Sequence, residues 1–319
     1  MAMEMHPDDS FHAPTTDDPF WTETCWFTFA IPERKLSGQL YPFFRKNQGI
    51  TSGGAFLWDP SGSQIWNCRY AKNLWHLPIP EDQDLTDIRL ANGIHYRCLE
   101  PLSKYEIHYL DPDAEEVEIH LTFEGICEPN RLGDSHLDQP GRYRGTIRIQ
   151  DEAFDVDAFG MRDRSWGVRS QIGATLHPLA QNVRGGYTYA TMSDQDAWHM
   201  ITADFGEGCI SIHGFLLQDG VWSKMVEGKR EVLAREEHCP THVRITGRDE
   251  LGRTLEAEGH THNKIGVHLN PNLWTWNCLT DWEWGGGNGG GGGKRGFGED
   301  HDNWSASGFR QFARGERGE

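Results

Sequence analysis

The stretch "GMRDRSWGVR" at residues 160–169 contains one acid and three arginines, and two of the arginines lie with the acid between two glycines. Successive side chains of an extended segment point to opposite faces, so Asp163 and Ser165 are expected to share one face. The other face then carries Arg162, Arg164 and Trp166. If Asp163 faces an apolar cavity, burial raises its pKa and makes it a general acid; if an arginine reaches it, its pKa falls and it becomes a structural anion. Both interpretations remain open, with Arg162 and Arg164 as orienting charges.

A second titratable cluster lies in "GFGEDHDNWS" at residues 296–305, where Glu299, Asp300, His301 and Asp302 are consecutive. Close carboxylates favour the imidazolium form of a histidine and can share a proton between them. Such a set can perform general acid/base catalysis, with Asp300 as an acid and His301 as a proton acceptor. A solvated acidic turn is the structural alternative.

The chain has 13 tryptophans. Alternate positions of a strand share a face, so "WTWNCLTDWEW" at residues 274–284 presents a stripe of tryptophans on one side. This stripe could be one wall of a cavity for an apolar ligand or the core between two sheets. The residues we expect to line a substrate site are Tyr105, Trp166, Trp274, Trp276 and Trp304.

A histidine pair in "GHTHNK" offers a weaker alternative, a metal site. His260 and His262 are two residues apart and would share a strand face, with His199, His213 or a carboxylate completing the ligand set. Because the chain has 16 histidines, one such pair is unsurprising. We predict no metal ion and no cofactor.

Bulk composition narrows the class of protein. A formal net charge of -18 over 319 residues disfavours nucleic acid and anionic membrane surfaces as partners. No stretch approaches the roughly 18 apolar residues of a membrane span, and the seven scattered cysteines indicate reduced thiols, so we expect a cytoplasmic protein. Neither a G-x-S-x-G nucleophile turn nor a G-x-G-x-x-G dinucleotide loop between a strand and a helix is found. A homodimer is left open.

The elements that would position these residues are β-strands. Short alternating runs recur, bounded by Gly, Pro, Asn and Asp, and helical periodicity is scarce. They include residues 104–111, 116–125, 143–151, 241–249 and 272–284. We predict two tandem β-modules, residues 1–178 and 179–319, with a seam in 169–187. The glycine-rich loop at 285–296 is expected to form a mobile hairpin tip or flap.

The motif "GMRDRSWG" at residues 160–167 resembles that of the two-module, lipocalin-like superfamily that includes carotenoid 1,2-hydratase (hydroxyneurosporene synthase). "HLDQPGRYRGTI" at 136–147 resembles an uncharacterised bacterial branch of it, and the tandem organisation over roughly residues 15–315 agrees. The resemblance implies an all-β fold of two lipocalin-like (calycin) β-barrels or bent sheets. It also implies cofactor-free acid/base chemistry on an apolar substrate, with Asp163 at the position of the acid that protonates an alkene.

The leading hypothesis is therefore an enzyme that hydrates, dehydrates, isomerises or cyclises a hydrophobic terpenoid, steroid, polyketide or aromatic compound. A carrier that binds an apolar ligand without turnover is the first alternative. A metal-dependent lyase or hydrolase built on His260 and His262 is the second.

Overall fold

The computed structural model describes residues 4–169, 184–206, 208–270, 272–286 and 293–319. The chain divides into two compact units. The first comprises Met1–Trp58 and Cys68–Arg169, and the second comprises Asp59–Asn67 and Ser170–Glu319. The predicted two-module all-β fold is confirmed. Residues 170–183, where the predicted boundary at 178/179 falls, lie outside the described residues.

The first unit is a 12-stranded antiparallel sheet with the strand order β2-β4-β3-β1-β12-β11-β9-β8-β7-β6, in which β5 pairs with β4 and β10 pairs with β11. Its strands are β1 (Trp21–Ile31), β2 (Leu36–Leu40), β3 (Phe43–Arg45), β4 (Ile50–Trp58), β5 (Tyr70–Pro78), β6 (Asp87–Arg89), β7 (Ile94–Glu100), β8 (Lys104–Leu110), β9 (Val117–Gly125), β10 (Asn130–Arg131), β11 (His136–Ile149) and β12 (Glu152–Val168). Short 3-10 helices span Pro7–Asp9, Pro32–Arg34 and Lys46–Gln48.

The second unit is a closed barrel of eight strands in sequence order. They are β13 (Arg184–Ser193), β14 (Asp196–Asp204), β15 (Cys209–Gln218), β16 (Val221–Glu236), β17 (Cys239–Asp249), β18 (Thr254–Asn270), β19 (Leu273–Gly286) and β20 (Lys294–Ser305), and helix α1 (Ala306–Ala313) follows. The segment Asp59–Asn67, which connects β4 to β5 along the chain, belongs to this unit, and the amide of Gly266 donates a hydrogen bond to the carbonyl of Ser63 at 2.8 Å.

Hydrophobic alternation explains the strands. In β8 the buried residues are Tyr105, Ile107 and Tyr109, and the positions between them are partly exposed. This period of two puts every second side chain into the core of the first unit. All five predicted alternating runs lie within or overlap a strand.

The glycine-rich loop connects two strands that pair directly, since Trp284 of β19 lies opposite Lys294 of β20. Its central residues 287–292, on which the predicted flap depends, lie outside the described residues. None of the helices within the described ranges is long and apolar enough to cross a membrane.

Candidate active site

The motif at residues 160–169 lies mostly at the end of β12, and its side chains alternate between two faces as predicted. Asp163 is opposite Asp138 of β11 and Trp26 of β1, whereas Arg162 is opposite Gln139 and Phe27. The acid is thereby separated from its two neighbouring arginines by the pleat of the strand.

On the acidic face, His136 of β11 lies among three polar side chains. Its Nε2 is 2.9 Å from Oδ2 of Asp138. Its Nδ1 is 2.7 Å from Oγ of Ser165 and 3.6 Å from Oδ2 of Asp163. Asp138 is fully buried, and the side chains of His136 and Asp163 are 13% and 15% exposed. We call these four residues the His136 cluster.

Burial and the neighbouring charges act in opposite directions on both titratable groups, Asp163 and His136. Burial raises the pKa of Asp163 above that of a free carboxyl group, although the positive charge of His136 opposes the shift. Burial alone would lower the pKa of His136, but the carboxylates of Asp138 and Asp163 outweigh it and raise that pKa to about 9. His136 is therefore expected to keep its proton at neutral pH, and Asp163 releases its proton less readily than a free carboxyl group does.

A tyrosine lies beside the same acid. Burial raises the pKa of Tyr41, and the charge of Asp163 adds to this shift while Arg169 opposes it. Tyr41 is therefore a neutral hydroxyl near Asp163. The same hydroxyl also hydrogen-bonds to Arg169.

The cluster could also hold a metal ion. One nitrogen of His136 and one oxygen each of Asp138 and Asp163 lie within 4.8 Å of one another. Mixed nitrogen and carboxylate ligands suit divalent ions such as Zn²⁺. Protonated His136 can itself supply a positive charge that balances the carboxylates of Asp138 and Asp163.

The histidine gives a first test that requires no substrate. We expect the ring of His136 to titrate near pH 9 in the wild-type chain. In Asp138→Asn its pKa should fall toward the ordinary value, because one neighbouring negative charge is removed. Since the folded-state pKa is raised, the stability that this histidine contributes is complete below about pH 6.5 and is lost as the pH rises toward 9. Two-dimensional NMR of the histidine rings measures this, and a titration near pH 6.5 in both proteins would contradict it.

The face of β12 opposite Asp163 anchors the N-terminal segment. The guanidinium of Arg162 is 3.2 Å from Asp9, and that of Arg164 is 3.0 Å from Glu23. All four side chains are fully buried. The prediction that Arg162 and Arg164 orient substrate is therefore not supported, because their charges are neutralised within the protein on the face away from Asp163.

Tyr105 of β8 and Trp166 of β12, two aromatic residues predicted to bind substrate, lie on the same side of the sheet as these arginines. The hydroxyl of Tyr105 donates to Asp9 at 2.7 Å, and the guanidinium of Arg162 lies 4.1 Å from the centre of its ring. Trp166 stacks on His12 with ring centres 4.0 Å apart. Both residues therefore pack against the N-terminal segment and do not line the His136 cluster.

Inside the barrel, Asp300 is held by an arginine of β16. Both of its oxygens accept hydrogen bonds from Arg230, at 2.7 and 2.6 Å, and Thr188 donates a third at 2.9 Å. Arg230 also donates to Asp302 at 3.0 Å. The prediction of a proton donor at Asp300 is not supported, since both of its oxygens are engaged in this buried bidentate pair with Arg230.

Asp302 completes this buried network. Burial would raise its pKa, but Arg230 and Arg235 outweigh that effect and lower it to about 2. Arg235 donates to its Oδ2 at 2.7 Å, and the indole of Trp304 donates at 2.8 Å. The stability that Asp302 contributes is therefore present above its ordinary pKa and is lost as the pH falls toward about 2.

His301 points away from Asp300 and Asp302, because neighbouring residues of β20 face opposite sides of the barrel wall. Its Nε2 is 2.8 Å from Oε2 of Glu299, and its ring centre is 5.4 Å from that of Tyr187. His301 and Asp300 therefore do not form one acid/base pair. A role for His301 as a proton acceptor stays a prediction.

The tryptophan stripe of β19 is the barrel interior and not the wall of an open cavity. Trp282 and Trp284 pack with Trp198 in the barrel core, with the ring centres of Trp198 and Trp282 4.9 Å apart. Toward the other end of the barrel, Trp274 and Trp304 stack on Phe309 and Phe312 of α1, at 4.6 and 4.9 Å. Trp276 packs there too, against Cys278 and Cys239. The predicted substrate-binding role of Trp274, Trp276 and Trp304 is therefore not supported.

The predicted histidine metal site is not assembled. The ring of His260 stacks on His242 at 4.3 Å, whereas His262 lies 3.7 Å from Asp281. Among the residues that the structure describes, no group of three metal-binding side chains includes His260 or His262.

His136, Asp138 and Tyr41 are not among the site residues predicted from the sequence. A usable signal was present, because His136 and Asp138 are two residues apart at the start of an alternating strand and so share a face. Their register with Asp163 across β11 and β12 could not be read from spacing alone.

Comparison with known proteins supports the fold. A provisionally named AttH (NE1406) from Nitrosomonas europaea has a TM-score of 0.63 and 13% identity, with 94% of this chain and 96% of that chain covered. Kievitone hydratase from Nectria haematococca has a TM-score of 0.60 and 8% identity, with 96% and 99% covered. CghA, solved with Sch210972, has a TM-score of 0.51 and 10% identity, with 94% and 96% covered.

No curated protein matches the sequence. A family profile covers most of the chain, from residue 5 to residue 294. The chain belongs to the family described as a domain of unknown function, DUF7064.

Proposed function

We propose that this chain is a hydratase-like enzyme that adds or removes water, or isomerises or cyclises, by proton transfer to and from carbon in an apolar small molecule. One observation carries the proposal: Asp163 is buried 3.6 Å from His136, and burial raises its pKa. Perturbed pKa values of neighbouring titratable groups are typical of catalytic sites.

Asp163 and His136 have different roles in this proposal. Asp163, in its protonated form, transfers its proton to one carbon of a double bond. Water adds to the other carbon and returns a proton to Asp163, so that the enzyme ends as it began. His136, held between Asp138 and Asp163, stabilises the carboxylate that exists between these two steps. The reaction is redox-neutral, and as written it uses no cofactor.

The similar structures support this class of reaction. Kievitone hydratase is named for a hydration, and CghA was solved with the small molecule Sch210972. Folds host unrelated chemistries, so this support is weaker than that of the cluster itself. Terpenoids, steroids, polyketides and aromatic compounds are the substrate classes we propose.

The test is to incubate the full chain with a panel of apolar unsaturated compounds in deuterated water, with mass spectrometry as the readout. We expect a compound that gains one water or acquires deuterium on carbon only when the enzyme is present. Tight binding with an unchanged compound would instead favour a carrier. Turnover that is abolished by a chelator and restored by Zn²⁺ would favour the metal-dependent alternative.

A further inference from the structure

Three histidines lie side by side on the first sheet, one on each of three neighbouring strands. His95 of β7 is directly opposite His108 of β8, and His108 is directly opposite His120 of β9. The ring centres are 5.6 Å apart for His95 and His108 and 4.6 Å apart for His108 and His120. We call these residues the histidine row.

Carboxylates hold both outer rings of the row. Nε2 of His95 is 2.8 Å from Oδ1 of Asp87, and Nε2 of His120 is 2.6 Å from Oε1 of Glu118. Within the described ranges, neither outer ring has a hydrogen-bond partner at Nδ1. A carboxylate on one ring nitrogen orients the ring and makes the other nitrogen a better metal ligand, which is the usual arrangement behind metal-bound histidines.

The central ring favours its neutral form. Burial lowers the pKa of His108, and the positive charges of His120, His95 and Arg89 lower it further, whereas Glu106 opposes them. Metal ions bind the neutral imidazole, so a lowered pKa of His108 is compatible with metal binding. Within the described ranges, neither nitrogen of His108 forms a hydrogen bond.

We propose that the histidine row binds a divalent transition-metal ion such as Zn²⁺ through His95, His108 and His120, with Asp87 and Glu118 as positioning residues. Imidazole ligands suit Zn²⁺, Cu²⁺ and Ni²⁺ and not Mg²⁺. The three rings do not yet converge, because their nitrogens are not all within 4.8 Å of one another. Binding therefore requires rotation of side chains that lie on the outer face of the sheet. The site is separate from the His136 cluster and independent of the proposed function.

The barrel supplies a matched control. His242 and His260 also form a cross-strand pair, with ring centres 4.3 Å apart, and Glu258 lies 3.1 Å from Nε2 of His242. This pair has the same chemistry but lacks a third histidine in the row. Removal of His260 should therefore leave the affinity of the tightest Zn²⁺ site unchanged.

The experiment is calorimetric titration of the full chain with Zn²⁺ at neutral pH, with Mg²⁺ as the second ion. We expect His108→Gln to weaken Zn²⁺ binding at the tightest site by more than about tenfold. Glu118→Gln should weaken it by about tenfold, since loss of a residue that hydrogen-bonds to a metal ligand typically lowers metal affinity by about 10–100-fold. His260→Gln should match the wild type, and Mg²⁺ should not bind. Binding should also weaken below the ordinary pKa of histidine.

Circular dichroism of each variant shows whether it folds, and Zn²⁺-dependent shifts of the histidine ring signals in the wild type locate the ion without any substitution. The proposal is overturned if the wild type does not bind Zn²⁺. It is equally overturned if folded His108→Gln binds as the wild type does, or if only the ring of His136 responds to the ion.

Discussion

Replacement of Arg230 by methionine should destabilise the barrel by about 3–5 kcal/mol, the range measured when one partner of a buried ion pair is removed. Arg230 is the common partner of Asp300 and Asp302, and all three side chains are fully buried. Methionine fills a similar volume but donates no hydrogen bond. The substitution thus leaves Asp300 without its bidentate partner in the barrel interior.

Urea unfolding followed by tryptophan fluorescence measures the effect, because the barrel holds most of the buried tryptophans. The control is Arg244→Met, which breaks an exposed pair with Glu258 on the same barrel and should leave the midpoint unchanged. An Arg230→Met barrel that unfolds at the wild-type urea concentration would contradict a structural role for this network. In that case Asp300 would again be a candidate acid.

The second large effect concerns catalysis. Once a substrate is identified, Asp163→Asn should lower its turnover by about 10²–10⁴, the usual contribution of a general acid. Asparagine has nearly the same shape and can still hydrogen-bond, but it has no acidic proton to transfer. Turnover is followed by deuterium incorporation at carbon.

The matched control for this variant is Asp157→Asn. Asp157 lies on the same strand, β12, but its side chain is 57% exposed and pairs with Arg142. It should leave turnover unchanged. If Asp163→Asn retains wild-type turnover, the assignment of Asp163 as the acid is wrong. If both variants lose turnover equally, the loss comes from a disturbed strand β12 and not from the missing acidic proton.

The strand faces could be predicted because side-chain alternation is a local property of the backbone. The separation of Asp163 from Arg162 and Arg164 follows directly from the period of two. The partners of these residues could not be predicted in the same way. Asp9 reaches Arg162 because the N-terminal segment folds onto that face, whereas Glu23 reaches Arg164 from the paired strand β1.

The tryptophan stripe shows a second limit. Alternation places Trp274, Trp276, Trp282 and Trp284 on one face whether that face lines a cavity or fills a core. Closure of the barrel decides between the two, because the inside of an eight-stranded barrel is narrow enough for its own side chains to fill. Closure depends on the pairing of β13 with β20, which are more than one hundred residues apart in the chain.

Only part of the candidate site could be predicted from the sequence. Asp163 was identified from its motif, whereas its partner His136 is contributed by the neighbouring strand. The hairpin of β11 and β12 is long and regular, and its register brings His136 opposite Ser165. Similarly, Asp300 seemed to belong with His301, but its true partner is Arg230 on β16.

The central claim is that Asp163 retains its proton to a higher pH than a free carboxyl group because it is buried, although the positive charge of His136 opposes this shift. The most direct measurement is a pH titration of the side-chain carboxyl carbons by ¹³C NMR, with Asp163→Asn identifying the signal. We predict a midpoint for Asp163 clearly above the ordinary 3.8 of aspartic acid. A midpoint at or below that value would contradict the claim, because Asp163 would then be a permanently ionised partner of His136.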